Sequence, residues 1–407
     1  MERRVIKNTA LLSSANVFAR IIGFFYFVFL GRVLGVESFG HYNFAIALVY
    51  NFYPVADFGV ERLILRDLSR DKQKSQEYFQ KIIPLRLTFS LVSVIFVTLL
   101  GLFLSKSSRD AINILIFAFC LLPWTFNQLV AGIGNAFEKM EIQSLVAICS
   151  AGFTAFLGGT AAFLGGDVSL VLIAAVASNL IVSLMMLGYA KKLGLTLKLN
   201  IDLEFCRNIL RESWVFASLT ILAVFYLRSS VVMVNYLKGA YYTGLYSSAF
   251  KFIEASILIP QSFALSLFPQ TARLLLSDKE KLKGNYLRSL GLIFIFSAFY
   301  AGSFYLLAPF LIKVAYGPSY SEAVSVMRIL GFAAIFFFLN TLPGNIIQNS
   351  PKVKRFIPWL LINFLLSLVL CFFLIPRGGI VGAAWAVFMA ELFGIFINNY
   401  FVWKILK

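Results

Sequence analysis

The feature that most constrains this chain is a succession of apolar runs, each long enough to cross a lipid bilayer. A window of about 19 residues finds roughly twelve of them, at 12–33, 40–63, 83–104, 111–134, 144–164, 168–190, 214–236, 242–268, 287–309, 323–347, 356–375 and 380–403. In hydrocarbon every backbone polar group must be satisfied internally, which leaves helices and closed barrels. Barrel strands would alternate apolar and polar residues over about ten positions, whereas these runs are continuous. Hydrophobic residues make up 60% of the chain and charged ones 14%, against about a quarter charged in soluble domains. The sequence therefore predicts an all-α integral membrane protein of about twelve transmembrane helices.

The distribution of basic residues sets the orientation. One set of connecting segments holds twenty-four lysines and arginines: Arg3, Arg4 and Lys7; Arg66 to Lys81; Lys139; Lys191 to Arg211; Arg273 to Arg288; Lys352 to Arg355; Lys404 and Lys407. The alternate set holds six, namely Arg32, Lys106, Arg109, Lys238, Lys313 and Arg377. Cytoplasmic loops carry the excess of positive charge, so both termini are expected in the cytoplasm, with short outer connections. The net charge of +17 then reports membrane orientation, and no nucleic-acid partner is expected. The basic N-terminus leads into an apolar helix too long for a signal-peptide core, read as a retained first span.

The longest interruption, Lys191 to Ser213, divides the chain near its midpoint. It separates an N-terminal six-helix bundle, 1–200, from a C-terminal one, 201–407. Within it Ile201, Leu203, Phe205, Ile209 and Leu210 alternate with charged residues, predicting an amphipathic helix on the cytoplasmic surface before the seventh span. An internal repeat supports the division: Gly35, Gly40, Tyr42 and Ala45 recur at a fixed offset as Gly239, Gly244, Tyr246 and Ala249. Gly165-Gly166 and Gly378-Gly379 each precede the last helix of a half. The offset spans six helices, so the repeat is parallel.

Charges inside a lipid-length helix are costly and face a protein-lined or watery cavity. Arg20, Arg228, Lys251 and Arg328 lie within the predicted spans and are the candidate cavity cations. Asn16, Arg20, Gly23 and Phe27 share one helix face, as do Ser247, Lys251, Glu254 and Gln261. Lys251 and Glu254, three apart, are also placed to neutralise one another. Arg228 lies deep, beside Ser229 and Ser230, with no acid within a helical turn. Asp57, Glu254 and Glu391 are the candidate proton or sodium carriers. Arg62, Arg66 and Arg86 fall near the cytoplasmic boundary, where anchoring to lipid phosphates is the default. Tyr42, Tyr241, Tyr242 and Tyr246, near the outer ends, are candidates for stacking on sugar rings.

No Walker loop, Gly-x-Ser-x-Gly elbow or metal-ligand cluster occurs. Cys120, Cys149, Cys206 and Cys371 form no CxxC, and His41 is the only histidine. Neither disulfide, metal nor cofactor is expected, and the chain is not read as an enzyme.

The pattern Asn16-x-x-x-Arg20-x-x-Gly23-Phe24, then Leu30-Gly31-Arg32-x-Leu34-Gly35 and Gly40-x-Tyr42, resembles the polysaccharide flippases of the multidrug/oligosaccharidyl-lipid/polysaccharide (MOP) exporter superfamily. Asp57-Phe58-Gly59 and Ile209-Leu210-Arg211-Glu212-Ser213 add to the resemblance, which covers the whole chain. It implies translocation of an undecaprenyl-pyrophosphate-linked oligosaccharide to the outer leaflet of the inner membrane by alternating access through a cationic cavity. It also implies membrane lipid as a partner, proton or sodium coupling, and a polysaccharide polymerase complex downstream. Arg20 matches an arginine that related lipid II flippases use in their cavity. Where those carry a second arginine, this chain reads Phe25-Tyr26-Phe27, which argues against lipid II as cargo. A drug/cation antiporter of the same superfamily would line its cavity with carboxylates and aromatics, and here mid-membrane cations match or outnumber acids. A membrane-embedded glycan polymerase or ligase would need a sizeable outer loop.

Overall fold

In the computed structural model the described residues are 2–105, 107–350 and 352–407, with side chains from residue 11 onward. Lys106 and the side chains of Arg3, Arg4 and Lys7, counted in the charge balance, lie outside the described residues. Thirteen α-helices and three short 3-10 turns account for nearly all of the rest, with no strand among the described residues. The helices are α1 (Glu2–Asp57), α2 (Val60–Arg70), α3 (Ser75–Leu104), α4 (Ser108–Ala118), α5 (Leu121–Ala136), α6 (Met140–Phe163) and α7 (Val168–Lys192). They continue as α8 (Leu203–Lys238), α9 (Ala240–Ser256), α10 (Leu258–Ser277), α11 (Lys279–Tyr316), α12 (Ala323–Asn349) and α13 (Ile357–Leu406).

Ten helical stretches are long and apolar enough to cross a membrane, the longest being Leu11–Arg70 and Val353–Leu406 with 60 and 54 residues. A straight helix of that length would reach roughly 80–90 Å, far beyond a hydrocarbon core of about 30 Å. Both fold back on themselves. At Gly35 the backbone leaves helical geometry (φ 76, ψ 169). The rings of Phe27 and Phe39 then meet at 4.7 Å, where a straight helix would hold them about 18 Å apart. In α13 the break is Gly379 (φ 58, ψ −138), and the Leu374 carbonyl closes against Gly382 so tightly that a Cβ there would lie 2.1 Å from it. Dividing these two stretches turns ten crossings into twelve.

The repeat seen in the sequence is present in the backbone. Gly239 (φ 93, ψ −178) adopts the same conformation as Gly35, one that is essentially closed to other residues. Tyr42 and Tyr246 are both buried, as are Ala45 and Ala249. Burial removes Tyr42 and Tyr246 from the residues able to stack on a sugar; Tyr241 and Tyr242 remain exposed.

The chain forms two compact units, Met1–Val224 and Phe225–Lys407. The first is built around Leu63 and Ile64 of α2, Phe79 and Ile82 of α3, Ile133 of α5 and Met186 of α7. In the second, α12 packs against α13, whose second limb presents Ala383, Ala386, Ala390 and Gly394, small side chains that let helices approach closely. No separate surface helix precedes the seventh span. α8 runs unbroken from Leu203 to Lys238, because no glycine or proline interrupts its periodicity. Ile209 is buried, and Phe205 and Leu210 pack on the core of the first unit. Asp202 caps this helix by accepting from the Phe205 amide at 2.9 Å. The Lys81 ammonium, 2.8 Å away, and then that amide hold the Asp202 carboxyl below the usual carboxylate range.

Candidate functional site

The clearest charged constellation lies in the second unit, where α8 and α9 diverge from the turn at Gly239. Arg228 lies eleven residues before this glycine and Glu254 fifteen after it, so the two come to roughly similar depth, about 16 and 22 Å along their helices. They meet. Arg228 Nη2 donates to Glu254 Oε1, and Lys251 Nζ donates to Glu254 Oε2 at 2.9 Å. Each side chain is about a fifth exposed, 21% for Arg228, 22% for Lys251 and 20% for Glu254. One carboxylate thus bridges two cations, and the three formal charges sum to +1. The serines around it are more deeply set: Ser229, Ser230 and Ser247 are buried.

The i, i+3 pair within α9 is the one that its sequence spacing predicts. The partner of Arg228 is not visible in its own helix, since Glu254 is 26 residues away and arrives only through the helical hairpin. Arg328 of α12 takes a different setting, donating from Nε to the Tyr305 carbonyl at 3.2 Å with its guanidinium 4.9 Å from the Tyr305 ring. Arg20, in the first limb of α1 and in the first unit, is exposed.

Two of the three candidate carboxylates are held elsewhere. Asp57 ends α1 at a break where Phe58 (φ 50) and Gly59 (φ 71) both take left-handed geometry. There it accepts from Arg86 Nη2, and Arg86 Nη1 also donates to the Thr125 carbonyl at 2.8 Å. Arg86 is only 3% exposed, so it is an internal partner of Asp57 and not an anchor for lipid phosphates. Its long apolar run offered no sign of this, because the acid that fixes it comes from another helix. Arg66 bonds Asp67 at 2.6 Å and Glu212 at 2.5 Å, and Arg62 lies over the Phe216 ring at 5.3 Å. Glu391, in the second limb of α13, is buried. Asn340 of α12 donates to its Oε2 at 2.7 Å and in turn accepts from Asn398 at 2.9 Å. Asn340 escaped the sequence reading, although an asparagine inside an apolar run is itself a signal of a polar partner.

Against known proteins, the model of the family described as polysaccharide biosynthesis protein matches residues 5–275. The chain belongs to that family. Among similar proteins, this family member is 25% identical over 385 residues to the "Putative O-antigen transporter" of Shigella flexneri, covering 88% of each chain. It is 23% identical to the "Capsular polysaccharide biosynthesis protein CapF" of Staphylococcus aureus, over 98% of this chain and 99% of that protein. Its fold is that of the MOP superfamily transporters. An inward-closed structure of the lipid II flippase MurJ superposes with a TM-score of 0.77 at 16% identity, covering 97% of this chain and 87% of that one. An inward-facing multidrug resistance MATE transporter of the MOP superfamily superposes with a TM-score of 0.75 at 14% identity, over 97% and 98% of the two chains. This member of the polysaccharide biosynthesis family is accordingly a multi-pass membrane protein, as its ten apolar helical stretches require.

Proposed function

We propose that this chain carries a polyprenyl-pyrophosphate-linked oligosaccharide from the cytoplasmic to the outer leaflet, by alternating access of its two six-helix halves, 1–200 and 201–407. A pyrophosphate is anionic and strongly hydrated, and stripping its water without replacement costs many kcal/mol. The observation that carries the reading is the Arg228–Glu254–Lys251 cluster set among apolar helices, in a member of a polysaccharide biosynthesis family. The guanidinium offers a fork matched to phosphate oxygens, and the ammonium a compact second charge. Glu254 is the resident counter-ion, and the arriving pyrophosphate takes over its place on the two cations. The oligosaccharide travels with the head while the lipid tail stays in the bilayer. Arg20 and Arg328 supply further positive charge along the path, and the product passes to a polymerising system on the outer side.

Proton or sodium coupling, with Glu254 as the carrier, is part of the same proposal. Protonating Glu254 would release both cations for the pyrophosphate. Asp57 and Glu391, held by Arg86 and Asn340, are the other candidates, and neither touches the Arg228–Lys251 pair.

The test is reconstitution with a fluorescent lipid-linked oligosaccharide at matched protein levels. Arg228→Ala is expected to slow translocation by about tenfold or more, the scale of one charge-assisted hydrogen bond. Arg228→Lys, which keeps the charge and loses the fork, should fall between. An Arg228→Ala protein as fast as the parent would remove the cluster from the mechanism.

A further inference from the structure

The segment joining α7 to α8 carries a feature that transport does not use. Residues 195–202 belong to neither helix. Leu195 is buried and fixes one end. Thr196, Asn200 and Asp202 bond to α3. Gln76 receives the Thr196 amide at 2.9 Å and donates to its hydroxyl at 2.7 Å, the Asn200 amide donates to the Gln80 carbonyl at 3.3 Å, and Asp202 pairs with Lys81. Leu197, Leu199, Ile201 and then Leu203 are 55%, 64%, 73% and 79% exposed. Four large apolar side chains close together in sequence, on a segment tied to α3 by these hydrogen bonds, form an exposed ridge that water would penalise.

We infer that this ridge docks on anionic phospholipid at the membrane surface, with its leucines in the boundary between headgroups and acyl chains. Position and charge select that partner. The ridge lies where α7 ends and α3 begins, beside two membrane-crossing helices, and so at the level of the headgroups. Lys191, Lys192, Lys198, Arg207 and Arg211 are all exposed around it. Of the nearby acids, Asp202 is taken by Lys81 and Glu212 by Arg66; Glu204, exposed beside Leu203, offsets one of these basic residues, and the patch stays positive. The bias of basic residues assigns this side to the cytoplasm, whose leaflet is the anionic one. An apolar row flanked by lysine and arginine is the pattern that binds such surfaces, here built on the connecting segment that leads into α8. The inference does not depend on the identity of the cargo.

The test places an environment-sensitive fluorophore on Leu199→Cys, in a protein whose four native cysteines are replaced, and reconstitutes the full chain in nanodiscs. With phosphatidylglycerol present, phospholipids brominated near the headgroup should quench the label, and aqueous iodide should not. Lys198→Gln should weaken the lipid quenching by about fivefold, the scale of one basic residue at an anionic surface. Leu197→Ser with Ile201→Ser should abolish it. Both changes are at exposed positions, and an unaltered melting temperature confirms that the fold is kept. Iodide access equal to that in detergent would overturn the inference. So would shielding that ignores phosphatidylglycerol and instead grows with protein concentration, which would mean that a protein covers the ridge.

Discussion

Glu254 is the residue on which the proposed site turns, because it holds two cations with one carboxylate. Making it glutamine removes the competing negative charge while keeping the shape. Binding of a pyrophosphate-headed lipid to Glu254→Gln should tighten by about fivefold, the worth of roughly one kcal/mol. Turnover should fall, because nothing remains to displace the cargo, and any dependence on an imposed proton gradient should vanish. Titration of binding beside proteoliposome flux separates these effects; equal weakening of both would mean that Glu254 is structural only. Glu254→Ala should also lower stability by about 2 kcal/mol, less than the roughly 3–5 kcal/mol of a fully buried pair, since the cluster is partly exposed. At this scale the sequence was half legible. Lys251 and Glu254 are three apart and announce their pairing, whereas Arg228 finds its acid on the next helix. Arg86 shows the reverse failure: it sits near the expected boundary, and only the fold brings Asp57 to it.

The elements were more legible than the contacts. Apolar length alone marks the crossings, and the glycines at 35, 239 and 379 mark where the chain turns. What the pattern could not show was that 203–213 joins the seventh span, because an amphipathic stretch looks the same whether its apolar face meets lipid or a protein core. The turn in α13 gives a direct test of tightness. In Gly382→Ala the new methyl would lie 2.1 Å from the Leu374 carbonyl oxygen and 2.6 Å from its carbon, both backbone atoms that cannot swing aside. A loss of about 2–3 kcal/mol is expected from such overpacking. Gly378→Ala meets nothing within 4 Å and should stay within about 0.5 kcal/mol of the parent. Thermal unfolding in detergent, followed by tryptophan fluorescence, compares the two; equal melting temperatures would mean that the fold-back at Gly379 is looser than described.

For the whole molecule, the asymmetry of twenty-four basic residues against six makes a claim about orientation that no single helix can make. Each misplaced positive loop would have to cross the membrane against the rule that retains lysine and arginine inside. The repeat makes a second, independent claim: copies separated by six crossings must point the same way, so matching turns of the two halves share a side. Single cysteines at Lys74, Arg109, Lys283 and Lys313, all exposed positions, test both claims in a background without native cysteines. A membrane-impermeant maleimide on intact cells should label Arg109→Cys and Lys313→Cys, and reach Lys74→Cys and Lys283→Cys only after permeabilisation. Labelling of Lys283→Cys together with Arg109→Cys would mean inverted halves. The Gly35 and Gly239 turns would then open on opposite sides of the membrane, as in transporters built from inverted repeats, and the parallel relation read from the repeat would be wrong.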